Sequence, residues 1–376
     1  MKFRVERDVL AEAVAWAARS LPARPPVPVL AGLMLDASGG RLMLSSFDYE
    51  VSARVEIAAD VAEPGVALVS GRLLADISRS LPAKPVEVTT DAAKVVVTCG
   101  SSRFTLLTLP VEDYPALPEM PGASGSLHGD LFAAAVAQVS VAAGRDDTLP
   151  VLTGVRVEIE GERITMAATD RYRLAVRELS WTPEQSGLSA IALVPARTLS
   201  DTAKALAAAD KVTLALAGAT GGDGLVGFEG GGRRTTSRLL DGEFPKYKSL
   251  LPSESASVAT VDTASLVESV RRVALVAERN TPIRLSFGAG ELTLEAGTGD
   301  EAQASESLGA ALDGDDISIA FNPAYLLDGL GAVDAAHVEL RFTASTRPAV
   351  LAGKDSADST AGDDYRYLLM PVRLSG

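Results

Sequence analysis

One plan recurs three times along the 376 residues of this chain, and a recurrence of that kind restricts the fold before anything else does. The chain opens Arg4-Val5-Glu6-Arg7-Asp8-Val9-Leu10 and continues as an alanine-rich run to Ala18, with Asp8 the expected helix N-cap. The plan returns as Leu127-His128-Gly129-Asp130-Leu131-Phe132 followed by Ala133–Ala143. It returns again as Val261-Asp262-Thr263-Ala264-Ser265-Leu266-Val267, with a helix running to about Ala277. Each helix leads into alternating apolar segments of strand type, such as Leu33–Asp36, Val155–Ile159 and Ile283–Phe287. A second repeat is interleaved with the first. Ala67–Asp76, Ala192–Asp201 and Ile319–Asp328 each read as a strand, a turn with Pro or Gly, and a helix. Strand-like segments follow them, at Val86–Thr89, Val212–Ala215 and Val338–Arg341. The aligned aspartates Asp76, Asp201 and Asp328 are 125 and 127 residues apart.

This spacing predicts an α+β chain of three domains, each made of two strand–helix–strands units, with sheets on one side and helices on the other. Three unrelated α+β domains are the alternative, which the matched helix starts disfavour. The expected domains are 1–120, 126–251 and 256–376, with joints in the Pro-, Gly- and Ser-rich stretches Pro115–Ser126 and Leu251–Ser257. Gly218–Arg234 and Gly353–Asp364 depart from the repeat and read as hairpin tips or disordered connections.

The chemistry the chain lacks narrows its function. Gly222-Asp223-Gly224-Leu225-Val226-Gly227 formally matches a dinucleotide fingerprint, but no helix opens on it and more glycines follow. With two histidines and the single cysteine Cys99, a histidine–cysteine metal site is not expected; neither a metal nor a cofactor is. Asp313, Asp315 and Asp316 read as a solvated acidic turn. No apolar run reaches the ~20 residues of a membrane span, and Met1-Lys2-Phe3-Arg4-Val5 enters a strand pattern without a signal-peptide core. A reducing, cytoplasmic setting is expected. The net charge of −14 argues against nucleic acid, yet it is unevenly spread: residues 1–125 carry −3, residues 126–251 carry −1 and residues 252–376 carry −10. Within that total, Arg72 and Arg79, Arg197 and Lys204, and Arg272 and Arg279 each lie seven residues apart on expected helices. Seven residues is nearly two turns, so each pair projects to one side as a basic surface, which on its own reads equally as a solvated face.

The centre of the chain holds a marked turn. Thr169-Asp170-Arg171-Tyr172-Arg173-Leu174 separates two strand-like runs, and Asp170 suits a turn because its carboxylate bonds nearby N–H groups. An exposed Tyr beside Arg is a composition favoured where partners dock. Asp170 could instead be a hydrolytic carboxylate, but no second carboxylate shares its context, and enzyme activity is not expected.

The triple repeat, the Ala168–Val176 turn and the terminal Tyr367-Leu368-Leu369-Met370-Pro371-Val372-Arg373-Leu374 together resemble the bacterial DNA polymerase III β subunit, the sliding-clamp family. Met1-Lys2-Phe3, the Arg24 loop ending Pro28-Val29-Leu30 and Phe244-Pro245-Lys246-Tyr247 add to it, and the Ala, Val and Gly content looks actinobacterial. The resemblance implies a head-to-tail homodimer of repeated DNA-clamp domains. Six domains would close into a ring around duplex DNA, with inner helices and outer sheets, holding it without regard to sequence. A scaffold using the same fold without DNA is the rival. The implied partners are the replicative DNA polymerase, the clamp loader and other proteins carrying short clamp-binding peptides. Arg24 would reach DNA from its loop, and the paired basic residues Arg72, Arg79, Arg197, Lys204, Arg272 and Arg279 would face it from the helices, while positions 150 and 151, aromatic in some relatives, are Pro150 and Val151 here. At the ring joint the resemblance sets Phe104 and Leu106 against Leu275 and Val276, and Arg103 against Asp300, Glu301 or Glu306. The partner-peptide pocket it implies gathers Leu152, Gly154, Thr169, Arg171, Tyr172, Arg173 and Leu174 with Pro245, Leu250, Asn322, Tyr325 and Thr346. The tail residues Leu368, Leu369, Met370, Pro371, Val372 and Arg373 complete it. Arg171-Tyr172 stands where some relatives have a small residue and an imidazole, and Ser375-Gly376 extends past the usual terminal leucine.

Overall fold

The computed structural model describes residues 1–91, 93–216, 224–277, 281–288, 290–297 and 302–373. Among them are six α-helices, two to each third of the chain: α1 (Arg7–Ala17), α2 (Gly71–Ser80), α3 (Gly129–Ser140), α4 (Ala196–Leu206), α5 (Thr263–Val273) and α6 (Pro323–Ala332). Their apolar spacing explains the faces they bury. α5 turns Leu266, Ser269, Val270 and Val273 inward at three- and four-residue steps, and leaves Glu268, Arg271 and Arg272 exposed. Between the helices run antiparallel strands at the positions the alternation predicted, including Gly32–Ser38, Gly154–Glu160 and Ile283–Gly288.

The described chain packs as two compact units, and the middle third is divided between them. The first comprises 1–133, 182–192 and 201–239; the second comprises 134–181, 193–200 and 240–376. Strand pairing accounts for the division. In the first unit the strand Arg233–Arg238 pairs with Val51–Ala58, extending one antiparallel sheet to 14 strands. In the second unit Arg173–Ser180 pairs with Tyr365–Leu369 inside a nine-stranded sheet, and a four-stranded sheet runs Ala304–Gly309, Glu291–Ala296, Ile283–Gly288, Ile317–Phe321. Each half of the central third thus shares backbone hydrogen bonds with one flanking third. α1 and α2 lie on the first unit's sheet through Leu10, Val14, Ala17, Leu74 and Ile77, which share one core with Leu33, Leu42, Leu44, Val86 and Val97.

Several local expectations change. Glu6, not Asp8, precedes α1, and Asp8 falls in the first turn, where its charge favours the helix dipole. Residues 217–223 lie outside the described residues, but the rest of the glycine-rich stretch forms the strands Leu225–Gly230 and Arg233–Arg238. They are joined at Gly231 and Gly232, whose φ values of 57° and 75° suit glycine. The Gly353–Asp364 stretch begins inside the strand Ala349–Lys354. It continues as a bonded turn in which Lys354 Nζ donates to Ala357 O at 2.9 Å and the Glu178 N–H donates to Asp364 O at 2.7 Å. α5 ends at Val273, where the chain tightens into the 3₁₀ turn Ala274–Val276. Arg272 is the next-to-last residue of α5, and Arg279 lies outside the described residues.

Candidate functional site

The central turn is built by Asp170. Its Oδ1 accepts the N–H groups of Tyr172 and Arg173 at 3.0 and 3.1 Å, and its Oδ2 accepts Arg173 Nε at 2.9 Å. Thr169 Oγ1 donates to Arg173 O at 2.7 Å and accepts the Arg171 N–H at 3.2 Å. These bonds close the hairpin between Arg163–Thr169 and Arg173–Ser180 and drive Arg171 into the left-handed region, at φ 81°. A side chain costs roughly 1–2 kcal/mol there, so Arg171→Gly raises the unfolding free energy by about 1 kcal/mol, less what glycine's freer unfolded chain takes back. Urea denaturation checks this; an unchanged or lower midpoint refutes the strain.

Arg173 is the centre of the site. Its side chain is 5% exposed, and Nη1 donates to Asp328 Oδ2 at 2.5 Å. The guanidinium lies 4.3 Å from the ring centre of Tyr325, and Tyr325 stacks with Tyr172 at 6.3 Å. Burial alone would lower the Arg173 pKa, but hydrogen bonds to Asp328 and Tyr367 and the charge of Asp170 raise it well above its ordinary value. Tyr325 and Asp328 lie one turn apart on α6, whose start is fixed by Asn322. That side chain accepts the N–H groups of Ala324 and Tyr325 at 2.9 and 3.2 Å. Tyr367, fully buried, donates its hydroxyl to Tyr325 O at 2.8 Å and locks the helix to the last strand.

Around this cluster opens a cavity of about 550 Å³. Of the expected pocket residues, Leu152, Arg171, Tyr172, Arg173 and Tyr325 line it. Sequence reasoning missed Ala143, Gly144, Arg145, Asp146, Leu149, Asp170, Ala324 and Asp328 as wall residues. Asp328 carried a signal, since it is the third of the aligned aspartates. The repeat puts them to different uses: Asp76 pairs with Arg79 on its own helix, Asp201 is exposed, and Asp328 holds Arg173.

The other expected pocket residues do not line that cavity. Leu174 and Leu368 pack into an apolar cluster with Leu193, Phe244, Tyr247 and Val350, and Leu369 is fully buried. Gly154 is a close-approach position, where a Cβ would lie 2.8 Å from methyl carbons of Leu193 and Leu240. Thr169 is spent on the turn and Asn322 on the helix cap. Pro245 lines a separate cavity of about 410 Å³ with Arg156, Glu158, Tyr247 and Lys248. Leu250 is exposed, and Thr346 is an exposed turn residue outside both cavities. The tail runs on from the central turn, because the Met370 N–H donates to Tyr172 O at 2.9 Å and the Val372 N–H to Ala320 O at 2.8 Å. Met370, Val372 and Arg373 stay exposed and Pro371 is half-buried. Residues 374–376 lie outside the described residues.

The basic residues divide. Arg24, Arg197 and Lys204 are exposed. Arg72 is exposed but leans on Pro22 O at 3.0 Å, and Arg79 pairs with Asp76 at 2.5 Å. Arg272 is held by Glu306 at 2.5 Å, and this pairing, with Ser269, pulls the Glu306 carboxyl down to about 2. Arg272 and Glu306, expected to face DNA and a second chain respectively, are thus each other's partners. Asp300 and Glu301 lie outside the described residues. Leu106, expected at a joint between chains, is 2% exposed and belongs to the first unit's core, because strand alternation turns residues 104 and 106 inward. Phe104 is half-buried against the same core, while Arg103 is exposed and Leu107 is 72% exposed. Leu275 is 85% exposed and Val276 half-buried.

Comparison with known proteins agrees along the whole chain. Three family models match in order: the N-terminal domain of the DNA polymerase III beta subunit over residues 1–118, its central domain over 126–246 and its C-terminal domain over 248–373. The chain is 66% identical over 376 residues to the beta sliding clamp of Streptomyces coelicolor, covering 100% of both chains. It is 59% identical over 313 residues to that of Micrococcus luteus, covering 83% of this chain and 100% of the relative. The crystal structure of a Pseudomonas aeruginosa sliding clamp bound to griselimycin superposes with a TM-score of 0.91 at 30% identity, covering 100% of each chain.

Proposed function

Since the chain belongs to the DNA polymerase III beta subunit family, and is by that membership a replication sliding clamp and a processivity factor rather than a catalyst, we propose how its residues carry out the task. Its domains are 1–120, 126–251 and 256–376. Two chains join head to tail and close around duplex DNA, and the joint uses strand edges. Among the described residues of the first unit, 102–107 pair on one side only, with Lys94–Cys99, because Gly65–Ser70 meets the same strand at Thr108 and Leu109. In the second unit Ala304–Gly309 ends the four-stranded sheet. Each edge offers unpaired backbone groups, and an exposed leucine, Leu107 or Leu275, belongs to the same unit. Leu275→Ala with Val276→Ala is expected to weaken the dimer about tenfold, the share of a modest interface hot spot. Sedimentation equilibrium reads this, and a dimer as tight as wild type excludes these residues from the joint.

The DNA contacts fall to exposed Arg24, Arg197 and Lys204, with Arg72 and Arg79 freed from their local partners. Such contacts reach phosphates and ignore sequence, as a sliding ring requires. Partners dock by short peptides at the cavity between Tyr172, Arg173 and Tyr325, with exposed Met370 and Val372 supplying adaptable apolar surface. That cavity is the observation that carries the docking proposal. A peptide of the type Gln-Leu-x-Leu-Phe, titrated by fluorescence anisotropy, is expected to bind wild type about tenfold more tightly than a chain truncated after Leu369. Equal affinities would remove the tail from the site.

A further inference from the structure

We propose that the first unit carries a second site, one that binds a phosphate oxyanion on the face of its sheet between Val51–Ala58 and Arg233–Arg238. In the register of these strands Arg234 stands directly opposite Arg54, and Thr236 opposite Ser52. All four side chains line a cavity of about 340 Å³, which the segment Leu117, Pro118, Glu119 and Met120 crosses. Met120 lies hard on the sheet: a Cβ at Gly227 would come 2.7 Å from its Cγ.

Like charges directly opposite on a sheet repel, so two arginines at this position cost stability unless anionic oxygen lies between them. Arg234 is partly neutralised by Glu229, at 3.1 and 3.0 Å from its two oxygens. Arg54 is half-buried and has no carboxylate partner among the described residues. The other charges on this face leave it so. Glu56 is taken by Arg41 at 2.6 Å, and Glu119, which also lines the cavity, pairs with neither arginine among the described residues. On the cavity floor the hydroxyls of Ser52 and Thr236 are buried and 2.5 Å apart, so the one not donating to the other has a proton to offer. Guanidinium forks matched to tetrahedral oxygens, with a hydroxyl behind them, are the donor set a phosphate takes. The volume also admits a phosphate esterified to a small organic group.

Isothermal titration of the intact chain at fixed ionic strength tests this, with inorganic phosphate and adenosine monophosphate as separate ligands. Saturable binding of one phosphate per chain is expected, weakened at least tenfold in Arg54→Gln and in Arg234→Gln and unchanged in Arg347→Gln, an exposed arginine of the second unit. Tighter binding of the monophosphate identifies an esterified ligand; equal binding identifies the free oxyanion. Phosphate should also raise the Tm of wild type and not that of Arg54→Gln. Binding that fails to saturate, or that survives both substitutions, overturns the site.

Discussion

Arg173→Ala is expected to lower the unfolding free energy by about 3 kcal/mol or more and to abolish peptide binding at the cavity. The guanidinium is nearly enclosed, and removing it strips Asp170 and Asp328 of their common cation. Breaking a buried ion pair from one side costs about 3–5 kcal/mol, because the remaining charge is desolvated and unpaired. The lower end applies here, since Asp170 is 14% exposed and Asp328 44%. The loss also removes a cation from the face of Tyr325 and one of the contacts that fix the central turn. Arg173→Lys keeps the charge and loses the fork that serves two carboxylates at once, so it recovers only part of the stability. Urea midpoints and peptide titration report the two effects separately. A wild-type midpoint for Arg173→Ala would mean that the cluster is not holding the turn to the helix.

Gly329→Ala is the second large effect, on the opposite wall of the same cluster. A Cβ at residue 329 would lie 2.5 Å from Cδ1 and 2.9 Å from Cζ of Tyr367, and that ring is fully buried. Neither α6 nor the central strand carrying Tyr367 can move freely, so the added methyl overpacks the core by about 1–3 kcal/mol. Displacing the ring also breaks its hydroxyl bond to Tyr325 O. Tyr325 then loses its place beneath Tyr172, and peptide affinity falls together with stability. If affinity persists while stability falls, the cavity does not depend on the Tyr367 clamp.

The repeat made the fold legible. Helix starts and strand positions follow from hydrophobic period, and period survives sequence drift because it is set by burial. The division of the middle third between two units was not legible, because pairing between strands far apart in sequence leaves no local mark. The site was half legible. Tyr172, Arg173 and Tyr325 came from the turn and the resemblance, and the cavity unites them. What the residue types could not show was commitment: Asn322 caps a helix, Thr169 closes a turn, Arg272 and Glu306 neutralise each other, and Leu106 faces inward. Ala143–Asp146 entered the wall without any signal, since a loop's position depends on the elements at its ends.

The place of the last strand has a consequence for biosynthesis. Tyr365–Leu369 lies in the interior of the nine-stranded sheet, between Arg173–Ser180 and Ala349–Lys354. The edge of Arg173–Ser180 therefore stays open on the ribosome until residue 369 has emerged, a wait on the order of ten seconds or more at ordinary elongation rates. During that interval the nascent chain presents a β edge able to recruit a wrong partner. Its charged residues Arg177 and Glu178 discourage such pairing, and they are the side chains that later bond Asp364 and Arg366 around the arriving strand. Ribosomes paused shortly before that codon should yield a protease-resistant first unit beside a protease-sensitive remainder.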